Sequence, residues 1–180
     1  FDIIESLGVL HHMDDPLAGW QILTSLLRPN GLMNIALYSE TAREVGGIVS
    51  ARNKFERYQT NISQDNIRNL RRDVVCEINS GSIERGLLLS PDFYSLSSFR
   101  DLVCHVQEHR YTIPMIKESC EILGLEFLGF VPITDGIMKD FLSCYPLDNS
   151  LCNLDMWEEY EKENPSIFSA MYNFWLRKIG

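Results

Sequence analysis

Apolar positions change period several times along the chain, and each change marks an element. Phe1 to Leu10 is mostly apolar, with Gly8 near its end. An unalternating run of that length fits a strand buried on both faces, as in a parallel sheet. Asp14-Asp15-Pro16 follows, and Asp15 as N-cap with Pro16 at the first helical position starts a helix. Leu17, Trp20, Leu23, Leu26 and Leu27 then recur at helical spacing. Arg28-Pro29-Asn30-Gly31 stops that helix, because proline cannot continue it and Asn-Gly supplies a turn. Leu32 to Tyr38 reads as the next strand. Strand, helix and strand in succession form a βαβ unit, which closes right-handed with its strands parallel.

From Thr41 to about Arg110 the periodicity loosens. Helical patches lie near Glu44 to Tyr58, Ser63 to Cys76 and Ser97 to Val106, with Pro91-Asp92-Phe93-Tyr94 between the last two. This stretch predicts an inserted helical subdomain or lid. Thr112 then caps a helix whose apolar positions are Ile113, Ile116, Cys120 and Leu123, ended by Gly124 as a left-handed cap. Leu125 to Val131 is a third strand. The remainder is acidic and aromatic, and Asn164-Pro165 is expected to start a last helix that buries Phe168, Met171 or Tyr172, Trp175 and Ile179. The predicted architecture is one α/β domain. Residues 1–40 and 112–131 form its sheet core, 41–111 a helical insertion, and 132–180 a helical tail.

Composition narrows the class without naming it. With 45% hydrophobic and 23% charged residues the chain reads as a soluble globular protein. No apolar run approaches the roughly 18 to 20 residues that span a bilayer, and the N-terminus lacks a signal-peptide layout, so a cytoplasmic protein is expected. Five scattered cysteines without a CxxC suggest neither a disulfide framework nor a four-cysteine zinc site. A net charge of -9 argues against general nucleic-acid binding. Arg43, Arg52, Lys54, Arg57, Arg68, Arg71 and Arg72 cluster in the insertion, where a solvated helix face accounts for them. The chain opens directly on an apolar strand, with no Met and no polar lead-in, which leads to the expectation of a fragment whose N-terminal part is missing.

In an open parallel α/β sheet, ligands bind beyond the carboxyl ends of the strands. His11 and His12 sit at one such end, and Tyr38-Ser39-Glu40 at the next. Phe1-Asp2-Ile3-Ile4, Gly8-Val9-Leu10-His11-His12 and, after a helix, Leu27-Arg28-Pro29-Asn30-Gly31-Leu32 resemble the second half of a class I S-adenosylmethionine-dependent methyltransferase. In that family the fourth strand ends in a "vLhh" segment and the fifth is introduced by "LkPGGl". Asn30 replaces a glycine of the pattern, and asparagine also adopts left-handed backbone. Asp92-Phe93-Tyr94-Ser95, Phe99-Arg100-Asp101-Leu102, His105 to His109 and Met171 to Trp175 are similar to a bacterial subgroup sometimes fused to tetratricopeptide repeats.

The resemblance implies a partial Rossmann-like methyltransferase sheet, made of the C-terminal strands, with S-adenosylmethionine as cofactor. Gly8, Val9 and Leu10 would approach the methionine end of the cofactor through backbone groups. His11 and His12 would face the methyl-transfer centre, where a histidine can remove a proton from an oxygen or nitrogen acceptor. Tyr38, Arg43, Tyr94, His105, His109 and Arg110 are candidates for contacting a small-molecule or protein acceptor. The family's glycine-rich first loop and ribose-binding acidic residue have no counterpart, so the chain by itself would bind cofactor poorly and be inactive.

Two rival readings follow from the residues. His105-Val106-Gln107-Glu108-His109 fits H-x-x-E-H, in which two histidines one helical turn apart bind zinc and the glutamate activates water. That would make a zinc hydrolase, although no further ligand is identifiable and no metal is assigned. The blander account puts His105 and His109 on one helix face, bonding neighbours. The other rival is a noncatalytic interaction module built from half the fold.

Overall fold

The computed structural model describes residues 1–57, 63–105, 107–131, 134–147 and 151–180. It divides into two compact units: residues 1–40 with 107–180, and residues 41–106.

The first unit holds a four-stranded sheet. Its strands are β1 (Ile3–Leu7), β2 (Leu32–Tyr38), β3 (Leu125–Phe130) and β4 (Met171–Lys178), in spatial order β1-β2-β4-β3. β1 and β2 are parallel, and β4 runs antiparallel to both β2 and β3. Helix α1 (Pro16–Leu26) links the parallel pair. Asp15 caps it by accepting the Ala18 N–H at 2.9 Å, as its sequence predicts. Asn30 takes the left-handed conformation, φ 62°, that the turn into β2 demands.

In this chain's second unit three helices follow one another before α5: α2 (Glu40–Val45), α3 (Ile48–Arg57) and α4 (Gln64–Ser80), of which α2 begins one residue inside the first unit. Helix α5 (Leu96–Val103) closes it. The single patch expected from Glu44 is broken in two because Gly47 has φ 75°, and a Cβ there would lie 2.9 Å from the Glu84 carbonyl. Ser63 caps α4 at one end and Gly81, φ 80°, at the other. Tyr58 and Val106, the expected ends of two patches, lie outside the described residues. Ala51, Leu70, Val74, Ile78, Phe99 and Val103 are buried, and Phe93 meets Phe99 edge to face.

Back in the first unit, α6 (Ile113–Leu123) has the predicted ends: the Thr112 hydroxyl accepts the Met115 N–H, and Gly124 at φ 64° donates to the Cys120 and Glu121 carbonyls. Helices α7 (Asp135–Cys144) and α8 (Leu154–Glu163) come between β3 and β4. Trp20, Ile113, Ile116, Phe141 and Trp157 pack against Met33, Ile35, Leu37, Tyr172, Phe174 and Leu176, so these helices bury one face of the sheet. Phe141 stacks on Trp157 with ring centroids 3.9 Å apart.

Two sequence expectations need correction. The last helix is strand β4: its burial alternates with period two, Tyr172, Phe174 and Leu176 inward. Aromatic residues fit a pleated surface as well as a helix, and pairing with Leu32–Tyr38 decided between them. The first strand is also shorter than Phe1–Leu10. Gly8 leaves extended geometry at φ 74°, and Leu10–His12 coils into a 3-10 turn. Nor is it buried on both faces: Ile3 is 56% and Leu7 49% exposed on the face they share with Glu5, and among the described residues β1 pairs with β2 alone.

Candidate functional site

The carboxyl ends of β1 and β2 are joined by side chains as well as by the ladder. The Gly8 N–H makes the last rung, donating to the Ala36 carbonyl at 3.2 Å. In the turn that follows, the Val9 and Leu10 carbonyls accept the His12 and Met13 N–H groups at 3.0 Å. Leu10 is buried in the core, while Val9 is 55% exposed. No heavy atom outside its chain neighbours lies within 4 Å of where a Gly8 Cβ would sit, so that backbone is open to close approach.

His11 is fully buried, with its ring stacked on Tyr38 at 3.7 Å and 22°. Its Nδ1 accepts the Tyr38 backbone N–H at 3.2 Å. An accepting Nδ1 carries no proton, so the neutral ring is protonated on Nε2. His12 stands edge-on to His11 at 4.4 Å and to Tyr38 at 5.4 Å. Its Nδ1 lies 3.0 Å from the Gln107 carbonyl, which can only accept, so Nδ1 is the donor, and in the neutral ring the lone pair falls on Nε2. In their neutral forms the two rings, adjacent in sequence, therefore take opposite tautomers.

Residues 107–111 form the third side. The His109 N–H donates to the His11 carbonyl and the Tyr111 N–H to the Tyr38 carbonyl, both at 2.8 Å, and Glu40 N–H donates to the Tyr111 carbonyl at 2.9 Å. Ser39 and Tyr111 make a parallel bridge. The Gln107 side-chain amide donates to the Met13 carbonyl at 3.3 Å and lies 3.5 Å from His109 Nε2. Tyr111 is buried, and its phenol pKa is raised by burial and secondarily by the Asp15 carboxylate. Gln107 escaped the sequence reading as a site residue. The available signal was the i, i+2, i+4 alternation of Gln107, His109 and Tyr111, which the H-x-x-E-H spacing masked.

That spacing does not produce the zinc geometry. Helix α5 ends at Val103, and His109 is in an extended segment, so the two histidines are not one helical turn apart on a common helix. The blander expectation of one shared helix face fails for the same reason. Among the described residues no group of three His, Cys, Asp or Glu side chains is placed to hold a metal ion.

The remaining candidates divide between the units. Tyr38, His109 and Arg110 belong to the first, with the histidine pair. Arg43, Tyr94 and His105 belong to the second, where bonds within that unit engage them. Arg43, expected to contact an acceptor, is instead fully buried with Nη2 donating to the Leu102 carbonyl at 2.9 Å. The Tyr94 hydroxyl donates to the Leu88 carbonyl, and the His105 carbonyl accepts from Arg52.

No family model matches the chain. The uncharacterized protein syc1184_c of Synechococcus sp. is 28% identical over 168 residues, taking in 89% of this chain and 39% of that protein. The structure of PKMT2 from Rickettsia typhi superposes on 98% of this chain and 35% of its own, with a TM-score of 0.65 at 14% identity. The same protein in complex with AdoHcy gives a TM-score of 0.62 with the same identity and coverage. The fold is therefore that of a class I methyltransferase, in a chain that spans 39% of its curated relative and 35% of its solved neighbour. Among the described residues no helix is long and apolar enough to cross a membrane.

Proposed function

We propose that the chain is the acceptor-side part of an S-adenosylmethionine-dependent methyltransferase, acting on a small-molecule or protein oxygen or nitrogen. The observation that carries this reading is the His12 ring, fixed through Nδ1 by the Gln107 carbonyl beside the open Gly8 backbone, in a fold whose solved neighbour binds AdoHcy. S-adenosylmethionine, when bound, supplies a methyl group on a sulfonium. Gly8 and Val9 suit its methionine end, since the exposed turn and the missing Cβ leave backbone accessible.

His12 then acts as general base through Nε2, the atom its Nδ1 bond leaves basic. His11 is a positioning residue: buried, stacked and bonded to Tyr38 N–H, it holds the two strand ends at a fixed spacing. Transfer is an in-line displacement, so alignment of the acceptor carries most of the barrier reduction and proton removal the rest. The glycine-rich loop and ribose-binding carboxylate would come from residues preceding Phe1 in the whole protein, whose strand would pair along the edge of β1 opposite β2.

The test uses the full-length protein, with AdoHcy binding measured by calorimetry and transfer from methyl-labelled S-adenosylmethionine measured against a panel of acceptors. The expected result is micromolar-range AdoHcy binding retained by His12→Gln while turnover falls about 10²- to 10⁴-fold, the usual worth of a positioned base. Unchanged turnover in His12→Gln would refute its role.

A further inference from the structure

Gln107 is the first residue of the sheet unit after the insertion, and it meets the Leu10–His12 turn with two groups of opposite polarity. Its carbonyl accepts from His12 Nδ1 at 3.0 Å, while its side-chain amide donates at 3.3 Å to the carbonyl of the next residue, Met13. A carbonyl can only accept, so the amide nitrogen rather than its oxygen faces Met13. One residue thus grips two consecutive positions that lie 95 and 94 places away in the chain.

The direction of the Gln107 carbonyl depends on rotation about the bonds on either side of its peptide. On the far side the His109 N–H, bonded to the His11 carbonyl at 2.8 Å, limits that rotation. On the near side the Gln107 side chain limits it through Met13. Two bonds therefore bracket the carbonyl that faces His12 Nδ1. A neutral imidazole can carry its proton on either nitrogen, and one protonated on Nε2 has no lone pair there to take another. An amide suits the bracket because it donates without a net charge, so proton uptake by His12 meets no added cation beside it.

We propose that Gln107 is a positioning residue for methyl transfer: its side chain, clipped to Met13, holds its own carbonyl on His12 Nδ1 and so keeps the Nε2 lone pair available to the acceptor. The catalytic consequence rests on the general-base reading of His12, whereas the clip itself does not.

The full-length protein is prepared with isotope-labelled histidine, and the His12 ring, assigned by its loss in His12→Gln, is followed by long-range proton–nitrogen correlation at a pH where it is neutral. The expected spectrum is that of the Nδ1–H tautomer. Gln107→Met keeps the length of the side chain and removes its donors, so His12 should shift toward the Nε2–H form that free histidine favours in water. Its kcat should fall about 10- to 100-fold, up to the cost of a group misplaced by about 1 Å, with AdoHcy affinity unchanged. Gln107→Lys, which restores a donor of similar reach, should recover the Nδ1–H form. An Nε2–H ring in the unmodified protein, or an Nδ1–H ring retained by Gln107→Met, overturns the proposal. A tautomer shift with kcat unchanged would leave the clip standing and defeat the general-base reading of His12 instead.

Discussion

The sheet unit and the helical insertion are assembled by different means. Residues 1–40 and 107–180 come from the two ends of the chain and are joined by β ladders and an aromatic cluster around Phe130, Phe141 and Trp157. Residues 41–106 fold from consecutive helices with local caps at Ser63, Gly81 and Ser95. Their buried or half-buried cations, Arg43 and Arg52, are used on the unit's own carbonyls at Leu102 and His105. The candidate chemistry lies where strand ends from distant segments converge. A ladder holds such ends at a fixed spacing.

The comparison can be broken at several points. The largest effect is expected from Trp157→Ala, which empties a fully buried site stacked on Phe141. Unfolding in urea should show a loss of about 3–5 kcal/mol, the usual range for a buried Trp or Phe reduced to Ala. A loss below about 1 kcal/mol would mean that the aromatic cluster is not what holds the sheet unit together.

Arg43→Met should cost about 2 kcal/mol, the scale of a buried hydrogen bond to a charged group. Hydrogen exchange should then quicken at the amides of α4 and α5 while those of β2 and β4 keep their protection. Equal loss of protection in both units would make the molecule one cooperative block and dissolve the distinction.

The smallest effect concerns the buried thiols, one in each unit. Burial pushes Cys120 from 9.0 up to about 12, and Cys104 up to about 11, the latter opposed by Arg52 and Arg100. A thiol whose pKa is raised by folding stabilises the protein fully below pH 9.0, and that contribution is lost as pH rises toward the folded value, because only the unfolded chain ionises freely. Melting temperature should therefore fall above about pH 9, less steeply in either Cys120→Ala or Cys104→Ala, and the two variants should diverge only above about pH 11, where Cys120 alone still holds its proton in the folded state. Near pH 8 a thiol reagent should modify the exposed Cys76 and Cys144 first. Early labelling of Cys120 would contradict its burial.

How much was legible varies by element. Strand β2 occupies Leu32–Tyr38 as its pattern predicts, and both α1 and α6 begin at their predicted caps. The histidine pair was visible as polar residues that the neighbouring helix start did not need. Its partners were not: His12 meets the Gln107 carbonyl across 95 positions, and His11 meets Tyr38 N–H across 27.

By itself the sequence determined the elements whose signals act over a few residues. Asp15-Pro16, Asn30-Gly31 and Thr112 with Gly124 set helix ends and turns by hydrogen bonds and backbone sterics within one turn of chain. Only the tertiary structure decided that Met171–Lys178 is a strand, that the H-x-x-E-H residues do not share a helix, and that the two histidines in their neutral forms take opposite tautomers. Each of those outcomes depends on a partner brought from elsewhere in the chain, and hydrogen bonds across a sheet are fixed by register, which no short window of residues contains.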